Sequence, residues 1–468
     1  MSLSKVKKAE EKYLLHTYDR HPVLLTHGKG AYLFADDGGK YLDFLSGIGV
    51  MALGYSNPAV TRVLREQAGK LVHVSNLFYT EFPSALAQKL ARLSGLDRVF
   101  FANSGTEAWE GALKIARAVA SAKGLKKRTR FLALENSFHG RTMGSVATTH
   151  TEKYRKPFAP VMPGVTFVKF NDVADLRQKF DEDVCAVCIE TIQGEGGIQP
   201  VSLEFLHTAR ELTQSSGALL LLDEIQCGLG RTGKMFAYQH YGVKPDLVTL
   251  AKPLAAGLPL GAILVTEEVA GAIHPGMHGT TFGGGPLACA VALEVLRIIA
   301  DEKILSHVKE VGGYFLDLLR QLDARHRCIV DVRGVGLMLG VELDSADLAK
   351  AVQKTMLDDK IIINRTHETV LRFLPPFVVT KKQVELVVKT LDRVLTSCAS
   401  SGDAAPATSA ALGRGSPRHQ RAARNEVPGL RSGSERPGGQ SRGNTTRGKK
   451  YCGQCRATAG ADRSDVDE

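Results

Sequence analysis

Ala218-Leu219-Leu220-Leu221-Leu222-Asp223-Glu224-Ile225-Gln226 sets an acid directly after an unbroken apolar run. An amphipathic strand would alternate polar and apolar residues, so a continuous run predicts a strand buried on both faces, as in a parallel sheet covered by helices. Similar runs occur at Arg98 to Phe101, Phe131 to Leu134, Val184 to Ile189 and Leu247 to Leu250, each followed by a polar or glycine-bearing turn. From about residue 56 to 287 the chain therefore reads as one large α/β domain with a mostly parallel sheet. After residue 288 longer helical patterns surround shorter strands. Val384, Val387, Val388, Leu391, Val394 and Leu395 repeat at the 3.6 period of a closing amphipathic helix. Residues 288–398 are expected to form a smaller α+β domain, joined by residues 1–55.

The balance of the 468 residues fits this division. Hydrophobic residues make up 44% and charged residues 23% of the chain, ordinary for a globular protein. The net charge of +11 raises a nucleic-acid partner as a possibility. However, 12 Lys+Arg against 7 Asp+Glu between Ser401 and Glu468 place +5 of it in the last 68 residues. That stretch, 399–468, has too few large apolar residues to offset the entropy of ordering and is expected to be a disordered basic tail. It lacks the interleaved aromatics that stack on bases, so binding of nucleic acid is not expected. Its lone Cys452-Gly453-Gln454-Cys455 has no second pair, and no metal site is expected. Cys185 and Cys188 lie three apart in a strand, where alternation would point them to opposite faces as core residues. The start of the chain has no apolar segment of a signal peptide and no run is long enough to span a membrane, so a cytoplasmic location is expected.

Ligands of open α/β sheets bind beyond the carboxyl ends of the strands. Three such ends carry chemistry. After Phe101, Asn103-Ser104-Gly105-Thr106-Glu107 opens a helix with the Ser104/Glu107 spacing of a capping box, and the amides of Gly105 and Thr106 at its positive end make a phosphate seat. Asp223 is an acid at a strand mouth and requires a cationic partner. Alone it could equally be half of a structural ion pair or a metal ligand. Lys252 follows Leu247 to Leu250, before the flexible-looking Ala255-Ala256-Gly257. A phosphate seat, an amine and an acid at neighbouring strand ends suit pyridoxal phosphate. Its aldehyde needs a lysine that can lose its charge, and its ring nitrogen a carboxylate that keeps it protonated. A dinucleotide site fits less well, because no GxGxxG follows a first strand with a ribose-binding acid about 20 residues on.

The sequence resembles the class III (subgroup II) aminotransferases among the fold-type I pyridoxal phosphate enzymes, and within them most resembles the acetylornithine branch. The resemblance runs from about Tyr18 to Leu395. It rests on Asn103-Ser104-Gly105-Thr106-Glu107, Ser137-Phe138-His139-Gly140-Arg141-Thr142, Gln193-Gly194-Glu195-Gly196-Gly197, Leu222-Asp223-Glu224-Ile225-Gln226, Leu250-Ala251-Lys252 and His278-Gly279-Thr280-Thr281-Phe282-Gly283-Gly284. The resemblance implies that Ser104, Gly105 and Thr106 hold the cofactor phosphate and that Phe138 stacks on its ring. It further implies Asp223 at the ring nitrogen, Gln226 near the 3-hydroxyl and Lys252 at the aldehyde. It implies a homodimer, with Thr281 reaching the partner's cofactor phosphate and Thr280 near substrate. Arg141 and Arg372 would take the carboxylates of the amino donor and of 2-oxoglutarate in turn, with Glu195 masking Arg372 for an ω-amino donor.

The activity so implied is transfer of the terminal amino group of N2-acetylornithine to 2-oxoglutarate, in arginine synthesis. Ornithine, succinyl-diaminopimelate and 4-aminobutyrate aminotransferases, glutamate-semialdehyde aminomutase and a noncatalytic cofactor-binding regulator are the alternatives. The sequence departs from many relatives in having Gly285 where they have Asn, and Pro253, Ala255 and Ala256 where they have glycine. Since alanine favours negative φ, the loop after Lys252 is expected to be stiffer or differently shaped.

Overall fold

The computed structural model describes residues 2–301 and 303–402, with side chains through residue 397. Residues 399–402, the start of the expected tail, continue the last helix; the rest of the basic tail and its Cys452–Cys455 pair lie outside the described residues.

The apolar runs form a seven-stranded sheet in the order Arg98–Ala102, Gly261–Val265, Leu247–Leu250, Leu219–Asp223, Val184–Glu190, Arg130–Leu134, Val165–Val168. Gly261–Val265 runs antiparallel to both neighbours, and the other pairings are parallel. Side chains alternate between two apolar layers: Leu220 and Leu222 pack into one cluster, Leu219 and Leu221 into the other. This double burial is why the strands read as continuous apolar runs. Cys185 and Cys188 both pack into the second layer, not on opposite faces. The register slips there, with Arg130 opposite Val184 and Phe131 opposite Ala186, so a bulge resets the alternation between the two cysteines.

Helix Gly105–Ala122 lies under one face, burying Trp109, Leu113 and Ala116. Beyond residue 288, strands Ile329–Val335, Met338–Leu343, Val370–Phe373 and Asn364–Thr366 form an antiparallel sheet. The last helix, Lys381–Gly402, buries all six residues of the apolar stripe, Val384 to Leu395. Burial of each stabilises the fold by roughly 1.5–3 kcal/mol before entropy is counted. The N-terminal strands Leu25–Lys29, Tyr32–Ala35 and Lys40–Asp43 form a third sheet, in which Ile361–Ile362 pairs with Leu42 and Asp43. No helix among the described residues is long and apolar enough to cross a membrane.

One backbone stretch is unusual. Ser46, Gly47, Ile48 and Gly49 all have positive φ, between 48° and 84°. Left-handed backbone in a β-branched residue such as Ile48 costs roughly 1–2 kcal/mol. Asp43 holds the turn, accepting the N–H groups of Leu45 and Ser46 at 2.8 and 3.0 Å and the Tyr55 hydroxyl at 2.6 Å. The Ser46 hydroxyl donates to the carbonyl of Leu374. Val50, just beyond the turn, lines the main cavity.

Candidate active site

At the carboxyl ends of the parallel strands lies a cavity of about 490 Å³. Nine of the twelve predicted site residues line it: Ser104, Gly105, Thr106, Phe138, Arg141, Glu195, Asp223, Gln226 and Lys252. Arg372 stands directly behind, bonded to two of them.

The phosphate seat is built by a variant of the expected cap. Ser104 Oγ accepts the N–H of Glu107 at 3.2 Å, but the Glu107 carboxylate returns to the N–H of Asn103 at 2.7 Å and not to Ser104. Among the described residues the N–H groups of Gly105 and Thr106 have no protein acceptor, and they sit at the positive end of an 18-residue helix. A Cβ on Gly105 would approach Ile225 Cδ1 to 2.9 Å, so glycine is required for the close approach. The Thr106 hydroxyl is 2.9 Å from those of both Thr142 and Ser145.

Asp223 is buried at the end of its strand. Its carboxylate oxygens face His139 Nδ1 at 2.8 Å, the N–H of Ile225 at 3.0 Å and the Thr249 hydroxyl at 3.4 Å. His139 stacks flat on Trp109 with ring centroids 3.9 Å apart. Within the protein the partner of Asp223 is an imidazole 84 residues away. Sequence reasoning gave His139 no role, although it stands inside a quoted motif, because nothing local marks its ring as reaching another strand.

Lys252 follows its strand through Ala251, whose backbone is turned sharply (φ −161°, ψ −104°). Burial pushes the Lys252 ammonium below the ordinary lysine range, against the opposing pull of Glu195, Asp223 and Glu190 and assisted by Arg372. A lysine poised to lose its charge is what an aldehyde requires. Ala256 has φ +48°, contrary to the expectation that alanine there keeps φ negative. The buried Leu254 and Ala255 before it and Gly257 at φ +101° after it impose the turn on it.

Glu195 meets Arg372 at 2.6 Å, with side-chain exposures of 32% and 1%. Burial pushes the Glu195 carboxyl up, but the guanidinium outweighs it and holds the group below the usual carboxylate range. Arg372 also donates to Asn364 at 2.9 Å and lies 3.4 Å from Gln226 Oε1. Arg141 is exposed, its guanidinium 3.5 Å over the ring of Tyr154 and 5.5 Å over that of Phe138. Two guanidiniums thus flank the cavity, one masked and one open.

Thr280 and Thr281 do not line this cavity. Thr280 accepts a hydrogen bond from Asn103 at 3.1 Å, and Thr281 is exposed at a second hollow of about 150 Å³, beside Asn76, Tyr79 and Phe282. The string Gly228-Leu229-Gly230-Arg231-Thr232-Gly233 spells GxGxxG but opens no helix. Its Arg231 is buried under the carbonyls of Leu337 and Pro375. Among the described residues no cluster could hold a metal ion.

The donor set fits pyridoxal phosphate: free helix-start amides for the phosphate, a buried acid for the ring nitrogen and a charge-depressed lysine for the aldehyde share one cavity of adequate size. Such a site on the carboxyl ends of this sheet defines a pyridoxal-phosphate-dependent transferase of fold type I. Residues 13–395 match the family model for aminotransferase class-III. The chain is 46% identical over 393 residues to the acetylornithine aminotransferase of Methanocaldococcus jannaschii, covering 83% of this chain and 97% of that one. It is 44% identical over 384 residues to that of Aquifex aeolicus, covering 82% and 100%. The ornithine aminotransferase of Toxoplasma gondii superposes with a TM-score of 0.82 at 33% identity, over 86% of this chain and 96% of that one. The acetylornithine aminotransferase of Elizabethkingia anophelis does so with 0.76 at 31%, over 85% and 100%. The chain belongs to the class-III aminotransferases.

Proposed function

We propose that the chain is a cytoplasmic acetylornithine aminotransferase, passing the terminal amino group of N2-acetylornithine to 2-oxoglutarate and yielding N-acetylglutamate 5-semialdehyde and glutamate. Relatives bearing that name match over most of their length. That match carries the reading, and the Glu195–Arg372 pair with an open Arg141 supplies the two carboxylate-binding groups the reaction needs. When bound, pyridoxal phosphate supplies an electron sink for the carbon that gives up its proton.

The protein's residues divide the rest of the work. The amides of Gly105 and Thr106, with Ser104, hold the phosphate. Asp223, oriented by His139, would keep a proton on the ring nitrogen, Gln226 would serve the 3-hydroxyl and Phe138 would stack on the ring. Lys252 Nζ would hold the aldehyde between turnovers and, once the donor amine had displaced it, would act as base toward the proton on the donor's amine-bearing carbon and as acid returning that proton to the cofactor's former aldehyde carbon. With acetylornithine, Arg141 grips the distant α-carboxylate while Glu195 neutralises Arg372, so no unpaired guanidinium faces the amino-bearing end of the donor, which has no carboxylate. With glutamate or 2-oxoglutarate, Glu195 moves aside, Arg372 takes the α-carboxylate and Arg141 the γ-carboxylate.

A homodimer completes the site in this reading. Leu77, Phe78 and Tyr79 are 87, 68 and 106% exposed beside the Thr281 hollow, an apolar surface suited to a second copy. In such a dimer Thr281 would reach the partner's cofactor phosphate, and Thr280 would stand near substrate.

The deciding experiment is a donor panel of acetylornithine, succinyl-diaminopimelate, ornithine and 4-aminobutyrate with 2-oxoglutarate as acceptor. The highest kcat/KM is expected for acetylornithine; a higher value for any other donor overturns the assignment.

A further inference from the structure

The two arms that grip carboxylates stand on different loops, and one buried side chain ties both loops down. Glu190 ends strand Val184–Glu190 directly beside Asp223, its register partner on the next strand. It is 6% exposed and lines the cavity. One carboxylate oxygen accepts the N–H of Phe138 at 2.8 Å, and the other accepts the N–H of Gly194 at 3.0 Å. Phe138 starts the loop that carries Arg141, whose guanidinium lies over the Phe138 ring. Gly194 precedes Glu195, the partner of Arg372, and is pressed so closely on Gln226 that a Cβ there would lie 2.2 Å from Gln226 Oε1.

A carboxylate is suited to this position because each of its two oxygens can accept one of the two backbone N–H groups. A glutamine would turn an N–H₂ group toward one of the two backbone donors, and an aspartate is one methylene too short to hold both. The site tolerates an acid here at a cost. Burial, with Asp223 alongside, pushes Glu190 up to about 7, eased by His139 and the two backbone donors. An acid kept in so unfavourable a place, with both oxygens held by backbone N–H groups, calls for a geometric reason.

We propose that Glu190 is a positioning residue: by clamping the Phe138–Arg141 loop and the Gly194–Glu195 turn to one strand end, it sets the spacing between the two carboxylate-binding arms and so the chain length of dicarboxylate the site accepts. The inference rests on the reading of Arg141 and Arg372 as those arms. The clamp is rigid where the arms must be flexible. Glu195 can swing away from Arg372 while Gly194 stays pinned, so the gate opens without changing the span it guards.

The test measures binding of the unreactive dicarboxylates succinate, glutarate and adipate to the holoenzyme by calorimetry, for wild type, Glu190→Asp, Glu190→Gln and Arg141→Met. Wild type is expected to prefer glutarate. The two Glu190 variants should lower that preference roughly 10-fold, the scale of one charge-assisted hydrogen bond, by weakening glutarate more than its shorter and longer analogues. A merely structural role would weaken all three ligands alike, and that result overturns the proposal, as does a preference that is absent in wild type or unchanged in the variants. If Glu190→Gln yields no folded holoenzyme, Glu190→Asp gives the same ratio. Arg141→Met separates the two readings: if it leaves glutarate binding intact, the assignment of the arms fails. If it abolishes binding while the Glu190 variants keep the wild-type preference, only the clamp fails.

Discussion

Replacing His139 tests how Asp223 is held, and two substitutions separate the two contacts of its ring. The imidazole makes a 2.8 Å bond to a buried carboxylate and stacks at 3.9 Å on Trp109. His139→Phe keeps a flat ring on the indole and removes the donor. His139→Asn places an amide N–H near the position of Nδ1 and removes the stack. A hydrogen bond to a charged group contributes about 1.5–3 kcal/mol, and at about 1.36 kcal/mol per decade its loss corresponds to roughly a 10- to 150-fold fall in rate. The remaining donors cannot compensate, because the Ile225 N–H is already engaged and the Thr249 hydroxyl stands at 3.4 Å. In steady-state assays with saturating donor and acceptor, His139→Phe is therefore expected to lose kcat by that factor with little change in KM. His139→Asn should keep kcat within about 3-fold of wild type while melting earlier, by the roughly 0.5–1.5 kcal/mol of a stacked pair. Equal kcat losses in the two variants, or a fully active Phe variant, would refute the idea that His139 acts through Asp223.

Lys252→Ala should lose the visible absorbance of the lysine-bound cofactor and cut turnover by at least roughly 10²–10⁴-fold, the contribution of a positioned base; a coloured, active variant contradicts the role given to Lys252. Arg141→Met should raise KM for acetylornithine and for 2-oxoglutarate alike, by roughly 10-fold or more for a lost bidentate contact, and a change confined to one substrate would contradict the shared arm. Glu224 is fully buried and pushed up to about 7 by burial. Its folded-state pKa lies above the unfolded value, so its contribution to stability is complete below about pH 4.5 and is lost as pH rises through about 7. Glu224→Gln should therefore show a smaller fall in melting temperature between about pH 5 and pH 7 than wild type, and an equal fall refutes this. Ala256→Gly relieves a left-handed alanine worth about 1–2 kcal/mol but loosens the unfolded chain by about 0.4–1 kcal/mol. A net gain of about 0.5 kcal/mol is expected in denaturant melts, and a loss above 1 kcal/mol contradicts the strain.

The sheet was legible because its strands are buried on both faces, and that burial writes itself as unbroken apolar runs. Direction was not: Gly261-Ala262-Ile263-Leu264-Val265 has the same character as the parallel strands of the sheet, and its reversal follows from the short connection after Leu250. The phase of Cys188 relative to Cys185 was hidden as well, because a bulge is an event between two strands and only one of them was being read. In the site, residues at strand ends announced themselves by being polar after apolar. His139 and Glu190 act by reaching across to other strands, and such reach depends on pairing and register that residue types alone do not carry. The reciprocal of the helix cap shifted by one, from Ser104 to Asn103, a difference in side-chain path that spacing does not resolve. Ala256 shows the opposite case, in which buried neighbours override a local preference.

The pairing of Ile361–Ile362 with Leu42 and Asp43 has a bearing on how the protein comes into being. At a translation rate of about 5–20 residues per second, the early strand waits roughly 16–64 seconds for its mate to leave the ribosome. Asp43, which anchors the left-handed turn beside the cavity, belongs to that waiting strand, and Arg372 emerges later still. The large sheet, whose strands all lie between residues 98 and 265, can be fully synthesised before either arrives. The nascent chain is therefore expected to have its cofactor seat ready before its second substrate arm, Arg372, so that acquisition of pyridoxal phosphate can precede the ability to turn over.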